Sequence, residues 1–304
     1  MAIVSVQNLN MHYGQVRALH NLSFEAGQGE IFGIIGPDGA GKTTLFRILT
    51  TLLLAESGEA RIAGFDVVKD YKTIRTLIGY MPGRFSLYQD LTVEENLKFF
   101  ATVFNTTVEE NYSLIEDIYR QIEPFKTRKA GKLSGGMKQK LALSCALIHK
   151  PEVLFLDEPT TGVDPVSRKE FWEMLRKLKE QGLSILVSTP YMDEASLCDR
   201  IALIKDGEFM QIDTPRGITE SYTEILRSVK SKKMHALLKD LRNCPLIKTS
   251  FSFGDSYHVT VKADTTTEAL KEYLVKEGHE DICIESIPTT IEDCFMSLAK
   301  KETI

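Results

Sequence analysis

The sequence predicts an α/β protein in two parts: a large domain of alternating strands and helices over residues 1–222, and a small α+β domain over 223–304. Three observations carry this. The apolar strand Ile31–Ile35 runs into a glycine-rich loop, Gly36–Thr44, and then into Leu45–Leu49, which has helical spacing. Further along, Val153–Leu156, 165–181, Ser184–Thr189, Asp193–Asp199 and Arg200–Ile204 alternate strand and helix, as in a parallel sheet. Near Tyr222 that alternation stops, and the order becomes strand, helix, hairpin, helix, strand, helix, a ferredoxin-like arrangement.

In chain order, Ala2–Leu9, Ala18–Glu25 and Glu30–Ile35 have strand composition. After the glycine-rich loop and its helix, Gly58–Gly64 has the pattern of a hairpin strand and Leu77–Met81 that of another strand. From Thr92 to about Gln121 apolar residues recur at helical spacing, with Val93, Leu97, Phe100, Ala101 and Phe104 on one face. Thr92 and Glu95 form a capping pair at its start. Ser134 starts the next helix, which is expected to reach His149. Pro165 suits the first turn of the helix 165–181. A turn cluster at Asp213–Gly217 precedes the small domain, where strand 224–229, helix 234–241, hairpin 247–263, helix 267–276, strand 282–287 and helix 290–300 follow. Gly254-Asp255 is the pivot of the hairpin.

Composition narrows the function classes. Apolar residues are 43% and charged residues 26%, ordinary for a globular chain with a buried core. The net charge of -5 argues against a general nucleic-acid binder, which needs a basic surface. The five cysteines (145, 198, 244, 283, 294) show no metal-ligand spacing, and their odd number suits a reducing compartment. No basic n-region opens the chain and no stretch approaches the ~18 apolar residues of a membrane span, so a cytoplasmic location is expected.

The loop itself reads Gly36-Pro-Asp38-Gly39-Ala40-Gly41-Lys42-Thr43-Thr44. Between a strand and a helix, this is the Gly-x-x-x-x-Gly-Lys-Thr pattern of a phosphate cradle. Glycines let successive amides point inward at a helix N-terminus, where anions are favoured. Lys42 is expected to reach the β- and γ-phosphates, and the Thr43 hydroxyl to ligate Mg²⁺. A second constellation, Asp157-Glu158, ends an apolar strand at the edge where α/β sheets bind ligands. There Asp157 would hold Mg²⁺ and Glu158 would orient or deprotonate an attacking water, as a general base.

With both constellations in order, the chain resembles the ATP-binding subunits of ATP-binding cassette (ABC) transporters. The diagnostic run is Leu133-Ser134-Gly135-Gly136-Met137-Lys138-Gln139-Lys140, similar to the ABC signature. The resemblance covers roughly residues 1–220 and implies a P-loop NTPase core with an inserted helical subdomain at about 84–145. It implies that Ser134, Gly135 and Gly136 cap the γ-phosphate of ATP held by a partner subunit. Tyr13 would stack on adenine, and Asp164 would lie in a loop crossing to the partner's site. Asp38 stands where the family more often carries Asn. Residues 223–304 resemble, more loosely, the C-terminal extension of drug, antibiotic and lipid exporters of the ABC-2 type.

Two positions depart from the family pattern. Gly83, in Ile78-Gly-Tyr-Met-Pro-Gly-Arg-Phe, holds the place of the glutamine-loop glutamine, and Pro190, in Ser-Thr-Pro-Tyr-Met-Asp-Glu, that of the switch histidine. Glycine brings no side chain to Mg²⁺ or water, and proline brings neither side-chain donor nor backbone N–H. The expectation is therefore a chain that binds ATP and Mg²⁺ but hydrolyses slowly on its own. It would pair with a second, catalytically complete ABC subunit in preference to a homodimer, and lie at the inner face of the cell membrane against a multi-span exporter subunit. The competing readings are a soluble ABC ATPase and a nucleotide-sensing interaction module without a transport role.

Overall fold

The computed structural model describes residues 2–301, and they divide into two compact units between Pro215 and Arg216. The end of the strand–helix alternation near Tyr222 places the expected boundary later, at 222/223.

The large unit begins with a long antiparallel hairpin, β1 (Ala2–Tyr13) and β2 (Val16–Gly27), which turns through Gly14 in the left-handed region. The strand β3 (Ile31–Ile35) leads through the glycine-rich loop into helix α1 (Lys42–Leu49). There follow β4 (Ser57–Ile62), β5 (Phe65–Asp66), α2 (Tyr71–Leu77) and β6 (Ile78–Met81). A helical insertion of α3 (Val93–Val103), α4 (Val108–Tyr119) and α5 (Gly135–Leu147) comes next. The unit closes with β7 (Val153–Asp157), α6 (Pro165–Glu180), β8 (Ser184–Thr189), a 3₁₀ turn at Met192–Leu197, β9 (Arg200–Lys205) and β10 (Glu208–Asp213).

Two sheets result. One is antiparallel, in the order β2-β1-β4-β5. The other has the order β10-β9-β3-β8-β7-β6, parallel except for β10. Its central strands β3, β7 and β8 are buried along their whole length, the continuous pattern required when both faces of a parallel sheet are covered. Their C-terminal ends meet at one edge, and this places the glycine-rich loop, Asp157-Glu158 and Thr189-Pro190 side by side. Phe46 of α1 packs edge-on against Phe155 of β7 at 5.8 Å, so the helix behind the loop is seated on the acidic strand.

The small unit contains α7 (Pro215–Glu220), β11 (Ile225–Lys230), α8 (Met234–Asn243), β12 (Ile247–Phe253), β13 (Ser256–Val261), α9 (Thr267–Lys276), β14 (Cys283–Ser286) and α10 (Ile291–Lys301). Its antiparallel sheet has the order β12-β13-β11-β14, which is the ferredoxin-like order expected from the sequence. A separate core of Val229, Leu237, Leu241, Val259, Val261, Leu270 and Leu274 supports it.

Several elements differ from the sequence expectation. The helical run 92–121 is two helices, because Asn105 adopts a left-handed conformation and Thr107 starts α4 with its own capping box. Helix α5 stops at Leu147, two residues short of His149. The segment 193–199 is a 3₁₀ turn over Met192–Leu197 rather than an α-helix. The sequence reading did not anticipate α2, β10 or α7. Among the described residues, no helix is long and apolar enough to cross a membrane.

Candidate nucleotide site

The loop between β3 and α1 is shaped by three glycines with different duties. A Cβ on Gly36 would stand 2.1 Å from the Ile204 carbonyl oxygen, so only glycine fits against β9 there. Gly39 (φ 81°) and Gly41 (φ 102°) lie in the left-handed region, and Gly41 caps α1 without a side chain in the way. Ala40 is buried and Asp38 is exposed. The free amides of the first turn of α1, at Lys42, Thr43 and Thr44, therefore face the loop's concavity, a ready anion site.

Lys42 is 3% exposed, and its ammonium is fully engaged. Nζ donates to the carbonyls of Gly36 and Pro37, each at 2.9 Å, and pairs with Glu158 Oε1 at 3.0 Å. The loop lysine and the expected general base thus stand in direct contact. Glu158 is held with φ 50°, rare for a residue with a side chain. Its amide donates to both the carbonyl and the hydroxyl of Ser188, each at 3.0 Å, and its carbonyl accepts from Thr161 N at 3.2 Å. Strain of this kind persists when the surroundings over-determine it, and it concentrates at functional sites.

Asp157 is 2% exposed at the end of β7. Ser188 Oγ donates to its Oδ1 at 2.7 Å, and the Thr43 hydroxyl also hydrogen-bonds to it. Burial raises the carboxyl above the ordinary value of 3.8, and the two hydroxyls and Lys42 oppose that rise only partly. A buried carboxylate beside a hydroxyl is a hard-oxygen pair that suits Mg²⁺, whose charge would relieve the desolvation. Thr43 and Asp157 are therefore the residues that fit the metal.

Gly83 follows β6 and lies against the acidic pair: an ideal Cβ there would be 3.0 Å from Asp157 O and 3.8 Å from Glu158 Cβ. A longer side chain at this place would run alongside the acidic pair, and glycine supplies none. Pro190 directly follows β8, whose last residue, Thr189, accepts from the amide of Gly36 at 3.3 Å. Position 190 is thus one residue from the mouth of the loop.

Among the described residues, no hydrogen bond or ion pair joins Ser134, Gly135, Gly136, Asp164 or Tyr13 to the loop, the acidic pair or Thr189-Pro190. Ser134 caps α5, accepting from Met137 N at 3.3 Å, and its exposed helix start presents free amides outward. Gly136 is required by packing, since a Cβ there would meet Ser167 Oγ at 2.7 Å. Asp164 caps α6, and the Ser167 amide holds its carboxyl below the ordinary value. Tyr13 is 46% exposed at the tip of the first hairpin. Sequence reasoning missed Ser188 and the buried Glu194, which collects hydrogen bonds from Thr160, Thr189 and Arg168. A carboxylate five residues after the end of a buried strand was the available signal.

Residues 19–161 match the family described as ABC transporter. The chain is 38% identical over 274 residues, 89% of its length, to the "Probable multidrug ABC transporter ATP-binding protein YbhF" of Escherichia coli (strain K12), and spans 47% of that relative's length. It is 37% identical over 307 residues to the "Nod factor export ATP-binding protein I" of Burkholderia orbicola (strain AU 1054), covering 99% of this chain and 98% of that one. Among solved structures it is similar to an ATP-binding subunit of an ABC transporter, with TM-score 0.66, 27% identity, and coverage of 72% of this chain and 92% of that chain. It is also similar to the dimeric bacterial cassette MJ0796, with TM-score 0.63, 27% identity, and coverage of 69% of this chain and 98% of that chain.

Proposed function

The chain belongs to the ABC transporter family of ATP-binding proteins, and we propose that it serves as an exporter's ATP-binding subunit with a hydrolysis-impaired site of its own. The observation that carries this is the pair of missing groups: Gly83 lies against Asp157 and Glu158 with no side chain to offer, and Pro190 follows Thr189 at the loop mouth with no donor. The export-type names of the relatives support the transport role.

The remaining machinery supports binding. The amides after Gly41 and the ammonium of Lys42 receive the phosphates of ATP, which requires Lys42 to exchange its contact with Glu158 for a phosphate oxygen. Thr43 and Asp157, whose hydroxyl and carboxyl are hydrogen-bonded to each other, would hold Mg²⁺, and bound there the ion would offset phosphate charge. Glu158 is left to orient the attacking water without help from positions 83 and 190. A positioned acid–base group contributes ~10²–10⁴-fold to rate, so from a common ~10 s⁻¹ a loss of ~10³ leaves about one turnover per 100 s. Binding should suffer much less.

In the assembled transporter, the exposed start of α5 and the loop before Asp164 would complete the site of a second ABC subunit, which carries most of the hydrolysis. The pair would sit at the cytoplasmic face of a multi-span membrane subunit. Steady-state ATPase assays of the purified chain, alone and with co-expressed membrane and ABC partners, test this. Slow turnover alone and fast turnover in the assembly are expected; brisk turnover of the isolated chain would overturn the impaired-site reading.

A further inference from the structure

Glu194 is a buried carboxylate, 2% exposed, in the 3₁₀ turn that follows Pro190, and the four contacts of its carboxyl reach β8, α6 and the loop between β7 and α6. Oε2 accepts from the Thr189 hydroxyl at 2.6 Å and from the Thr160 hydroxyl at 3.1 Å. Oε1 accepts from Arg168 Nε at 3.1 Å and pairs with its Nη2 at 3.0 Å. Thr189 is the last residue of β8, Thr160 lies two residues after Glu158, and Arg168 stands in the first turn of α6.

The contacts close around position 190 from both sides. The Thr189 hydroxyl, while donating to Glu194, accepts from the Tyr191 amide at 3.1 Å, so the backbone on each side of Pro190 is tied to one oxygen. The Arg168 guanidinium lies 4.2 Å from the centre of the Tyr191 ring, and Nη2 also reaches Asp193 Oδ2 at 3.3 Å. The carbonyl of Thr189 meanwhile takes the Gly36 amide, which connects the cluster to the mouth of the phosphate loop. On the other side, Thr160 anchors the segment that leaves Glu158, whose left-handed backbone needs restraint both before and after it. Ser188 restrains it from before, and Glu194 from after.

We propose that Glu194 and Arg168 are a positioning pair that fixes position 190 and Glu158 relative to the phosphate loop, and so sets the γ-phosphate end of the site. This rests on the reading of the site as an ATP site. Among the described residues, no hydrogen bond or ion pair of either side chain reaches the loop, so both act through Thr189, Thr160 and Tyr191. The α- and β-phosphates depend on the amides of the loop and of the first turn of α1, which neither Glu194 nor Arg168 contacts directly. Losing the pair should therefore be felt by a triphosphate more than by a diphosphate.

The test is the affinity of the full-length chain for ATP and for ADP, each with Mg²⁺, by titration calorimetry. The variants are Glu194→Gln, Arg168→Met and Arg168→Lys. Glu194→Gln and Arg168→Met are expected to weaken ATP about tenfold, the effect of leaving one buried polar partner unpaired, while ADP changes less than about twofold. Arg168→Lys keeps the charge and should recover part of the ATP affinity. Equal losses for ATP and ADP would overturn the proposal, as a general structural effect. So would unchanged ATP affinity in both Glu194→Gln and Arg168→Met. If Glu194→Gln does not fold, the two Arg168 variants decide by the same criterion. Failure of the unaltered chain to bind either nucleotide would instead overturn the ATP reading, and the proposal with it.

Discussion

At the scale of single residues, the space beside Gly83 decides what its substitution can do. A Cβ there meets the Asp157 carbonyl oxygen at 3.0 Å, so a glutamine is accommodated only if the neighbouring backbone moves by a few tenths of an ångström. Its amide would then run alongside Asp157 and Glu158. Together with Pro190→His, which restores both an imidazole and a backbone N–H next to Thr189, Gly83→Gln should raise the turnover number by about 10²-fold. Steady-state ATPase of the double variant checks this, and an unchanged rate would mean that these positions are not the missing groups. Asp157 gives a second prediction, through pH. Its carboxyl is raised above 3.8 mainly by burial, so the folded chain holds this proton to higher pH than the unfolded chain does. The stability it contributes is complete below about 3.8 and is lost as pH rises through its folded value. Asp157→Asn removes this dependence, because an amide can keep its contacts without ionising. In nucleotide-free buffer the variant should melt higher than the wild type near pH 8, with the gap closing toward pH 4. A gap independent of pH would show that ionisation of Asp157 is not the cause.

At the scale of elements, the helical insertion owes its shape to two repeated signals. Thr92 and Thr107 each accept from the amide three residues on, and Glu95 and Glu110 return the bond. Between them Asn105 takes φ 54°, while the Thr106 amide donates to the Ala101 carbonyl at 2.9 Å, which ends α3 as a glycine-like stop. Thr107→Ala should cost about 1 kcal/mol by loss of the cap. Urea unfolding measures it; no change would mean that α4 is held by packing alone. This pair of helices also shows where the sequence was legible and where it was not. Apolar spacing runs through 93–104 and invites one long helix, whereas the break lies in Asn105 and the second capping pair, local signals that periodicity averages away. Strand β10 was missed for a related reason. Its turn, Asp206-Gly207, is a hairpin dipeptide with both residues at positive φ, but the strand it leads into is only half-buried and carries a weak apolar pattern. The buried strands β3, β7 and β8 were legible because burial on both faces makes them continuous apolar runs. The glycine-rich loop and the acidic pair were legible for a different reason: their chemistry is local in sequence. The Glu194 cluster was not, since it joins side chains up to 34 residues apart that only the sheet brings together.

At the scale of the molecule, two separate cores make ligand linkage local. The large unit has its own cluster around Phe32, Phe46, Phe155 and Leu186, and the small unit its own around Val229, Leu237, Val259 and Leu270. Every residue fitted to the phosphates or to Mg²⁺ lies in the large unit. The chain has a single tryptophan, Trp172, buried on α6 of that same unit, so intrinsic tryptophan fluorescence reports the unfolding of the large unit alone. A ligand that binds only the folded state stabilises it by RT ln(1 + [L]/Kd), about 2.7 kcal/mol at a hundredfold excess over Kd. For a unit of roughly 200 residues, each kcal/mol moves the midpoint by about 2–4 °C, so saturating ATP with Mg²⁺ should raise the Trp172 transition by about 5–10 °C. Lys42→Ala, which removes the ammonium from the loop, should abolish most of that rise, because binding rather than turnover produces it. Pro190→His should leave the rise nearly intact while changing the ATPase rate. A Trp172 transition that ignores MgATP in the unaltered chain would refute nucleotide binding at this loop, whatever the rate of hydrolysis.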